Sequence, residues 1–334
     1  MPVSDHAPEI RGETMKRLLA AVSILALAAG IGTFGSVPMA AAAVPGGAAH
    51  FAAHFDFSKG QTPENVAQEP DGDLDVTFSV ARQVARVGTD GATRILATMP
   101  LPADGGVNTP VLHFAATMGI VRDQDGTLYF LYAAGTADLT GVWRMRPHGN
   151  PERIAALPAN GLPNGMALDP RSSVLYIADS VLGTIWTVPT AGGTATAWTT
   201  APELAFSSIA GANGLKIHNH AVWVSDTDQG TIVRIPFRSG NRPGPVQIRA
   251  RGLTTVDDFA FTGAGDEILA ALNHTNTVVR IGPDGARTTV LSAADGLENP
   301  TSVQVHGGTV YVLNAAYVTT KEPNILAACL RRLH

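Results

Sequence analysis

The stretch Pro163-Asn164-Gly165-Met166-Ala167-Leu168-Asp169 decides the fold of this chain, because altered copies of it recur at similar intervals. Each copy places an oxygen-bearing side chain just before a short apolar run. Asn213 follows Asn164 by 49 residues, and Asp257 follows Asn213 by 44 residues. A period of roughly 40–50 residues indicates one repeated supersecondary unit, as in β-propellers. The other copies are Pro63-Glu64-Asn65-Val66-Ala67, Ala212-Asn213-Gly214-Leu215-Lys216-Ile217 and Val256-Asp257-Asp258-Phe259-Ala260-Phe261.

Each repeat has the same internal order of turns and strands. In the copy that opens at Pro163, the turn 169–173 precedes the β-rich run 174–179, and a second turn precedes the run 184–188. Short β-branched and aromatic runs bounded by Gly, Asp, Asn and Pro predict strands at regular spacing. The units open near residues 64, 118, 164, 213, 257 and 301. Six units, each long enough for four strands, predict an all-β chain that forms a six-bladed β-propeller.

The segment 51–57 predicts how the ring of blades closes. Phe51, Ala53, Phe55 and Phe57 alternate with His50, Ala52, His54 and Asp56, and such alternation is typical of a half-buried strand. We expect this strand to pair with the C-terminal repeat and to complete the last blade. A stack of repeats that stayed open would leave two bare ends.

The first 43 residues predict an export signal and not a part of the propeller. Met15-Lys16-Arg17 precedes the apolar run 18–31 and the Ala-rich segment 39–43, which is the order of a secretory signal peptide. Residues 1–14 are interpreted as an upstream extension. An uncleaved membrane anchor is the alternative, but the apolar run is shorter than the ~20 residues that a spanning helix needs. We therefore expect a secreted or periplasmic protein with no transmembrane domain after signal removal and one propeller domain over residues 50–334.

Charge and cysteine content narrow the function further. The 334-residue chain has a net charge of −5 with no long run of one sign, which argues against a nucleic-acid-binding surface. Cys329 is the only cysteine, so the chain cannot form an intrachain disulfide. Closure of the fold must therefore depend on strand pairing and packing.

A closed ring would gather the polar residues of the repeated phrases at one mouth of the central channel. Carboxylate and amide oxygens are the ligands that Ca²⁺ prefers. The phrases hold no cysteine and no pair of histidines, which disfavours Zn²⁺, while Mg²⁺ and Mn²⁺ remain alternatives. An Asn-Gly pair taken singly is more often a turn, but the matching repeat positions favour a Ca²⁺ site. The predicted ligands are Glu64, Asn164, Asn213 and Asp257, with Asp258 beside them.

Other polar residues recur at the ends of the second strands. These residues are Asp179, Asp226 and Asn273. We interpret them as turn residues whose side chains bond to backbone N–H groups, and not as further ligands.

On these motifs the chain resembles the SMP-30/gluconolactonase/paraoxonase-like group of calcium-dependent six-bladed propellers, over roughly residues 60–320. The segment 162–167 resembles the Pro-Asn-Gly-Leu-Ala motif of that group, and 63–67 stands at its Glu-bearing motif. The segment 255–259 is similar to Val-Asp-Asn of paraoxonases and Pro-Asp-Gly of gluconolactonases. The resemblance implies that the metal ligands are Glu64, Asn164, Asn213 and Asp257.

The chain also departs from that group. Met118 stands where paraoxonases carry a histidine that is thought to help activate water. The disulfide of paraoxonases cannot form, and the sugar-recognition residues of gluconolactonases are not evident. The metal site therefore carries over better than the substrate.

Three functional hypotheses follow from these motifs. The first is a hydrolase of a small-molecule lactone or ester, in which Asp257 or Asp258 accepts a proton from water. In that case Met118, Met166 and Phe259 would line an apolar mouth, although blade packing is their alternative role. The second is a non-catalytic ligand- or protein-binding propeller with a structural metal, since propellers host many unrelated functions. The third is a relative of strictosidine synthase or of a lyase.

Overall fold

The computed structural model describes residues 49–333, and they form a six-bladed β-propeller as predicted. Each blade is an antiparallel sheet, and each blade contributes its first strand to the centre of the ring. The predicted signal peptide and upstream extension lie outside the described residues. Within residues 49–333, no helix is long and apolar enough to cross a membrane.

The first half of the ring contains three regular four-stranded blades. The closing strand is β1 (Ala49–His54). Blade 1 comprises β2 (Pro63–Gln68), β3 (Leu74–Phe78), β4 (Gln83–Val87) and β5 (Thr93–Thr98). Blade 2 comprises β6 (Ala116–Arg122), β7 (Leu128–Ala133), β8 (Gly141–Met145) and β9 (Glu152–Ala156). Blade 3 comprises β10 (Pro163–Asp169), β11 (Val174–Asp179), β12 (Thr184–Pro189) and β13 (Thr196–Thr200).

The second half contains one enlarged blade and the blade that closes the ring. Blade 4 comprises β14 (Ala212–His218), β15 (Ala221–Asp226), β16 (Thr231–Arg238), β17 (Arg242–Pro243) and β18 (Gln247–Ala250). Blade 5 comprises β19 (Val256–Phe261), β20 (Ile268–Leu272), β21 (Thr277–Ile281) and β22 (Arg287–Leu291). Blade 6 comprises β23 (Pro300–His306), β24 (Thr309–Asn314), β25 (Asn324–Cys329) and β1. Short 3₁₀ helices span Phe57–Lys59, Pro202–Leu204, Ser239–Asn241, Ala293–Asp295 and Leu330–Arg332.

The ring closes through β1, which pairs antiparallel with β25. The predicted strand was too long, because β1 ends at His54 and Phe57 begins a 3₁₀ helix. The pairing register shifts between Phe51 and Ala53. This irregularity breaks the expected alternation, so Ala53 is buried while Phe51 is 43% exposed.

The hydrophobic core lies between blades and not in one central mass. Six apolar clusters each combine side chains of two neighbouring blades. One example packs Val84 of blade 1 against Ile120 and Phe130 of blade 2. Another joins Ala53 of β1 and Ile325 of blade 6 to Val76 of blade 1. Because the faces of the sheets are used for packing, the channel is left to residues at the inner edge of each blade.

Every inner strand carries a register irregularity close to its start. Such bulges re-aim a side chain without ending the strand. Gly165 and Gly214 follow the bulge residue in blades 3 and 4, and a Cβ there would lie 2.2–2.3 Å from atoms of the next blade. Glycine is therefore needed for the inner strands to approach one another closely. The bulge residues, in blade order, are Glu64, Met118, Asn164, Asn213, Asp257 and Thr301.

Candidate metal centre at one mouth of the central channel

Five of the six bulge residues line a single cavity of about 140 Å³ at one mouth of the channel. Four of them are the predicted ligands Glu64, Asn164, Asn213 and Asp257, and the fifth is Met118 of blade 2. In blade 6 the hydroxyl of Thr301 instead donates to the carbonyl of Pro63, 2.9 Å away. Blades 1, 3, 4 and 5 therefore supply oxygen-bearing side chains to one place.

Glu64 lies deep in this cavity, with 7% of its surface exposed. The hydroxyl of Tyr317 donates to Oε2 of Glu64 over 2.5 Å, and the hydroxyl of Ser79 contacts the same tyrosine oxygen. Burial raises the pKa of Glu64 to about 7, and the charge of Asp258 adds to this rise while the Tyr317 hydrogen bond opposes it. The carboxylate is therefore held in place but not neutralised by a cationic side chain.

Asp257 is the second carboxylate of the cavity and keeps part of its surface open to it. The amide of Asn273 donates to Oδ2 of Asp257 over 3.1 Å and also reaches the carbonyl of Pro300. Burial raises the pKa of Asp257 well above its usual range, and the charges of Glu64 and Asp258 raise it further. Two carboxylates that face one cavity, each with its pKa raised by burial and by nearby like charge, call for a shared cation.

The two asparagines are oriented by hydroxyls that come directly after the second strand of each blade. Nδ2 of Asn164 donates to Oγ of Ser180 over 3.2 Å, and that hydroxyl donates to the carbonyl of Ala212 over 2.7 Å. Because its proton is already used on a carbonyl, the serine oxygen can only accept from the amide nitrogen. The amide oxygen of Asn164 is thus the atom that remains for the cavity.

Asn213 repeats this arrangement one blade later. Its Nδ2 donates to Oγ1 of Thr227 over 2.9 Å, and the threonine hydroxyl donates to the carbonyl of Val256 over 2.7 Å. Each hydroxyl therefore links the asparagine of its own blade to the backbone just before the bulge of the next blade. Such outer contacts fix the donor atom that a metal would meet.

This arrangement predicts an effect of Thr227 on cation binding. Thr227→Val removes the acceptor for the Asn213 amide while keeping the shape of the side chain. We expect Ca²⁺ affinity, measured by calorimetry, to fall by about 10–100-fold, as is typical when an outer contact of a ligand is lost. Thr227→Ser keeps the hydroxyl and should bind within a few-fold of the parent. Equal affinities of the valine and serine variants would contradict the orienting role.

Asp258 points away from the cavity, although it is the neighbour of Asp257. Both its carboxylate oxygens accept from Nζ of Lys216 at 2.8 Å, and Ser302 donates to Oδ2 over 2.8 Å. A longer contact of 3.4 Å comes from Asn65. Asp258 is 1% exposed and is absent from the cavity lining. The structure thus separates the two predicted proton acceptors, and only Asp257 lies within reach of a molecule in the cavity.

Lys216 also lines the opposite end of the channel, where a second cavity of about 500 Å³ opens between the inner strands. The ion pair of Lys216 and Asp258 ties blade 4 to blade 5, and Ser302 and Asn65 extend the contacts to blades 6 and 1. These contacts stabilise the inner strands behind the first cavity.

The predicted turn residues behave differently from one another. Oδ1 of Asp179 accepts from the backbone of Leu162, Val181 and Leu182, and Oδ1 of Asp226 accepts from the backbone of Gln229, which confirms the prediction for these two. Asn273 was misassigned, because its amide holds Asp257 instead. In blade 5 the residue opposite the start of the inner strand is Leu272, so Asn273 matches Ser180 and Thr227.

The walls above the polar floor are mostly apolar. They come from the loops that precede blades 2, 3 and 4 and from the last loop of blade 6. Asp228 orders one of these loops by accepting from the backbone of residues 207–210 at 2.7–3.3 Å. Of the predicted mouth residues only Met118 is found here, while Met166 and Phe259 pack in blade clusters. The apolar lining residues are Val111, Leu112, Phe114, Leu162, Ile209 and Val318.

Two titratable residues of the cavity lining were not predicted from the sequence. Tyr317 comes from the loop between β24 and β25 and lies 253 residues from Glu64 along the chain. His274 follows Asn273 in the turn between β20 and β21. No repeat pattern marks either residue, but the position of His274 directly after the recurrent Asp/Asn at the strand end was a usable signal.

Two of the three β-branched residues with positive φ among residues 49–333 line the same cavity. Val111 has a φ of 64° and Thr255 a φ of 53°, and both line the cavity. Positive φ is a genuine outlier for β-branched residues, and such strain tends to occur at binding and catalytic sites.

The donor set fits a hard divalent cation. Two carboxylates with raised pKa values face the cavity together with two carboxamides whose nitrogens already donate to hydroxyls. Calcium accepts six to eight oxygens including carboxamide and water oxygens, so water would complete the shell. Among residues 49–333, no three or more His, Cys, Asp and Glu side chains come together as a group that could hold a metal.

Comparison with known proteins supports the fold alone. No protein-family model matches the chain, and no curated protein matches it. Among solved structures, it is similar to a gluconolactonase from Xanthomonas campestris with a TM-score of 0.61 at 14% identity, covering 84% of this chain and 87% of the other. The calcium-binding protein regucalcin from Agrobacterium tumefaciens gives a TM-score of 0.60 at 17% identity, with coverages of 83% and 93%.

A similar TM-score comes from a protein that is named for a different reaction. A catalytically inactive variant of virginiamycin B lyase from Staphylococcus aureus, solved with quinupristin, has a TM-score of 0.58 at 16% identity. The match covers 81% of this chain and 82% of the lyase chain. At such identities the shared fold does not select among these activities.

Proposed function

We propose that this protein is a metal-dependent hydrolase of lactones or simple esters that carry apolar substituents. The observation that carries the proposal is the cavity itself, in which four oxygen-bearing side chains form a floor beneath apolar walls. Its ligands would be Glu64, Asn164, Asn213 and Asp257. The cation would be Ca²⁺, with Mg²⁺ and Mn²⁺ as alternatives.

The residues divide the work between holding the cation and shaping the space above it. A divalent cation bound here would polarise a carbonyl oxygen and lower the pKa of a nearby water. Tyr317 holds Glu64, and Asn273 holds Asp257, so both carboxylates are kept facing the cavity. Of the two predicted proton acceptors, Asp257 faces the substrate space, while Asp258 is engaged by Lys216.

The apolar walls narrow the substrate class. Among residues 49–333, no Lys or Arg lines this cavity. A sugar lactone would leave its hydroxyl groups without partners against Leu112, Phe114 and Ile209, and unpaired polar groups are costly to bury. Lactones or esters with alkyl or aryl substituents suit these walls better.

The structural neighbours support the proposal only in part. A gluconolactonase and the calcium-binding regucalcin share the propeller fold, and the first is named for a lactone while the second is named for calcium. Export of the protein is also part of the proposal and depends on the signal-like segment 15–43.

A second candidate function is a non-catalytic propeller that binds a ligand or protein and uses the metal as a structural element. Met118 favours it, because this residue brings a thioether to the position where other blades bring oxygens. In this case the cation would stabilise the mouth, and the cavity would retain an apolar ligand without turning it over.

An activity panel separates these two functions. The metal-loaded protein should hydrolyse alkyl-substituted γ- and δ-lactones and short aryl esters, and activity should disappear with EDTA and return with Ca²⁺. Hydrophobic lactones should be preferred to gluconolactone by at least about 10-fold in kcat/KM, roughly 1.4 kcal/mol. Metal-loaded protein that binds Ca²⁺ tightly but hydrolyses nothing would favour the binding function.

A further inference from the structure

His274 stands at the cavity with its backbone held in place. Its N–H donates to Oγ1 of Thr255 over 3.1 Å, and the N–H of Asn273 donates to the carbonyl of Thr255 over 3.0 Å. Thr255 is the strained residue that precedes Val256 and the bulge of blade 5. One unusual backbone conformation therefore positions both the bulge that carries Asp257 and the turn that carries His274.

The imidazole of His274 is left without a partner. Within residues 49–333, its ring makes no hydrogen bond and no ion pair, and it lines the cavity beside Asn273. Burial lowers the pKa of His274, so the ring is neutral near pH 7 and one of its nitrogens has a free lone pair. The side chain is partly buried, and its open nitrogen is available to a molecule in the cavity.

The other acidic and basic groups of the cavity are already engaged. Glu64 accepts from Tyr317, and Oδ2 of Asp257 accepts from Asn273, so each has a protein donor besides any cation. Asp258 lies outside the lining and is held by Lys216. The tyrosine hydroxyl donates to a carboxylate and therefore cannot serve as a free base. Within the described range 49–333, His274 is the remaining titratable group that lines the cavity.

We propose that His274 is a catalytic residue that accepts the proton of the attacking water, an inference that rests on the hydrolase function proposed above. The water oxygen bonds to the carbonyl carbon while one water proton passes to the imidazole. When the bond between that carbon and the leaving oxygen breaks, the imidazolium returns its proton to the leaving alkoxide. Asp257 then remains a ligand throughout, and the carboxylic acid product loses its own proton to solvent.

His274 does not occupy the second-repeat position, where paraoxonases carry a histidine and this chain has Met118. His274 reaches the cavity from blade 5, beside the turn that orients Asp257. A histidine base typically contributes about 10²–10⁴-fold to a hydrolytic rate.

The test uses the full propeller loaded with Ca²⁺ and the best lactone or ester of the panel. His274→Ala should lower kcat by about 10²–10⁴-fold, with Ca²⁺ affinity within about three-fold of the parent by calorimetry. Added imidazole should restore at least about 10-fold of the lost rate, because it can occupy the vacated space and accept the proton. His306→Ala, at the exposed end of β23, is the control and should have the kcat of the parent. If His274→Ala has a lowered melting temperature, His274→Gln tests the same loss of the imidazole.

The possible failures are distinct. A parent that hydrolyses no substrate overturns the hydrolase function and this inference with it. An active parent with an equally active His274→Ala overturns only the role of His274. A His274→Ala variant that loses Ca²⁺ together with activity, and that imidazole does not rescue, would show that His274 stabilises the metal centre and is not the base.

Discussion

Replacing Glu64 or Asp257 by its amide should abolish cation-dependent behaviour, and this is the largest effect that we expect in the protein. Glu64→Gln and Asp257→Asn keep the side-chain shape and an oxygen but remove one of the two cavity charges. Loss of an outer contact costs 10–100-fold in metal affinity, so loss of a charged ligand should cost at least about 100-fold. Lactone hydrolysis at fixed Ca²⁺ should fall in proportion.

In the absence of a cation, the same variants should stabilise the folded protein instead of impairing it. The pKa of Glu64 is raised to about 7 from 4.5, so the folded protein binds this proton more tightly than the unfolded chain does. Stability contributed by the neutral carboxyl is present below about pH 4.5 and is lost as the pH rises toward 7. In EDTA the parent's melting temperature should therefore decline across this window, and Glu64→Gln should show a smaller decline.

Asp258→Asn is the matched control for a carboxylate outside the cavity. It leaves Lys216 without its counter-ion, and removing one partner of a buried pair costs about 3–5 kcal/mol. Since the lysine side chain is 25% exposed, we expect a smaller loss, about 2–3 kcal/mol, with Ca²⁺ affinity reduced far less than in Asp257→Asn. If Asp258→Asn instead abolished Ca²⁺ binding while Asp257→Asn did not, the assignment of ligands would be wrong.

Removal of β1 should have the second-largest effect, on the stability of the ring. A chain that begins at Phe55 loses the strand that pairs with β25, and the backbone groups along β25 lose their partners. Ala53 also leaves the apolar cluster between blades 6 and 1. We expect a loss of at least about 5 kcal/mol, which places it among the exceptional changes, and a melting temperature lower by about 10–20 °C.

A chain that begins at Ala49 is the control, because it keeps the whole of β1. The exposed edge of β25 in the shorter chain should also promote association, which light scattering would detect. Equal melting temperatures of the two chains would show that β1 does not hold the ring closed.

The architecture could be predicted from the sequence because the signals for it are local and repeated. Gly165 and Gly214 follow a polar residue at the start of an inner strand, and both are needed for close approach of neighbouring blades. A steric requirement of this kind recurs in the sequence at the period of the fold. The same repetition led to the predicted ligands, since one bulge position per blade faces the channel.

Local signals failed where the register differed between blades. Asn273 looked like Asp179 and Asp226, but blade 5 pairs Leu272 with the start of its inner strand. Because the pairing register of blade 5 is shifted by one residue, Asn273 is not a turn residue but the group that holds Asp257. The alternation at 51–57 failed for a similar reason, because a bulge in β1 exposes Phe51.

The sequence alone therefore determined the six blades, the closing strand and the position in each blade from which a side chain reaches the channel, because strand periodicity and glycine requirements are properties of short segments. The tertiary structure alone decided which side of the bulge each carboxylate faces, so that Asp257 enters the cavity while Asp258 pairs with Lys216. It also brought Tyr317 and His274 to the cavity. Those placements depend on contacts between blades that are distant in the chain, and no local pattern encodes them.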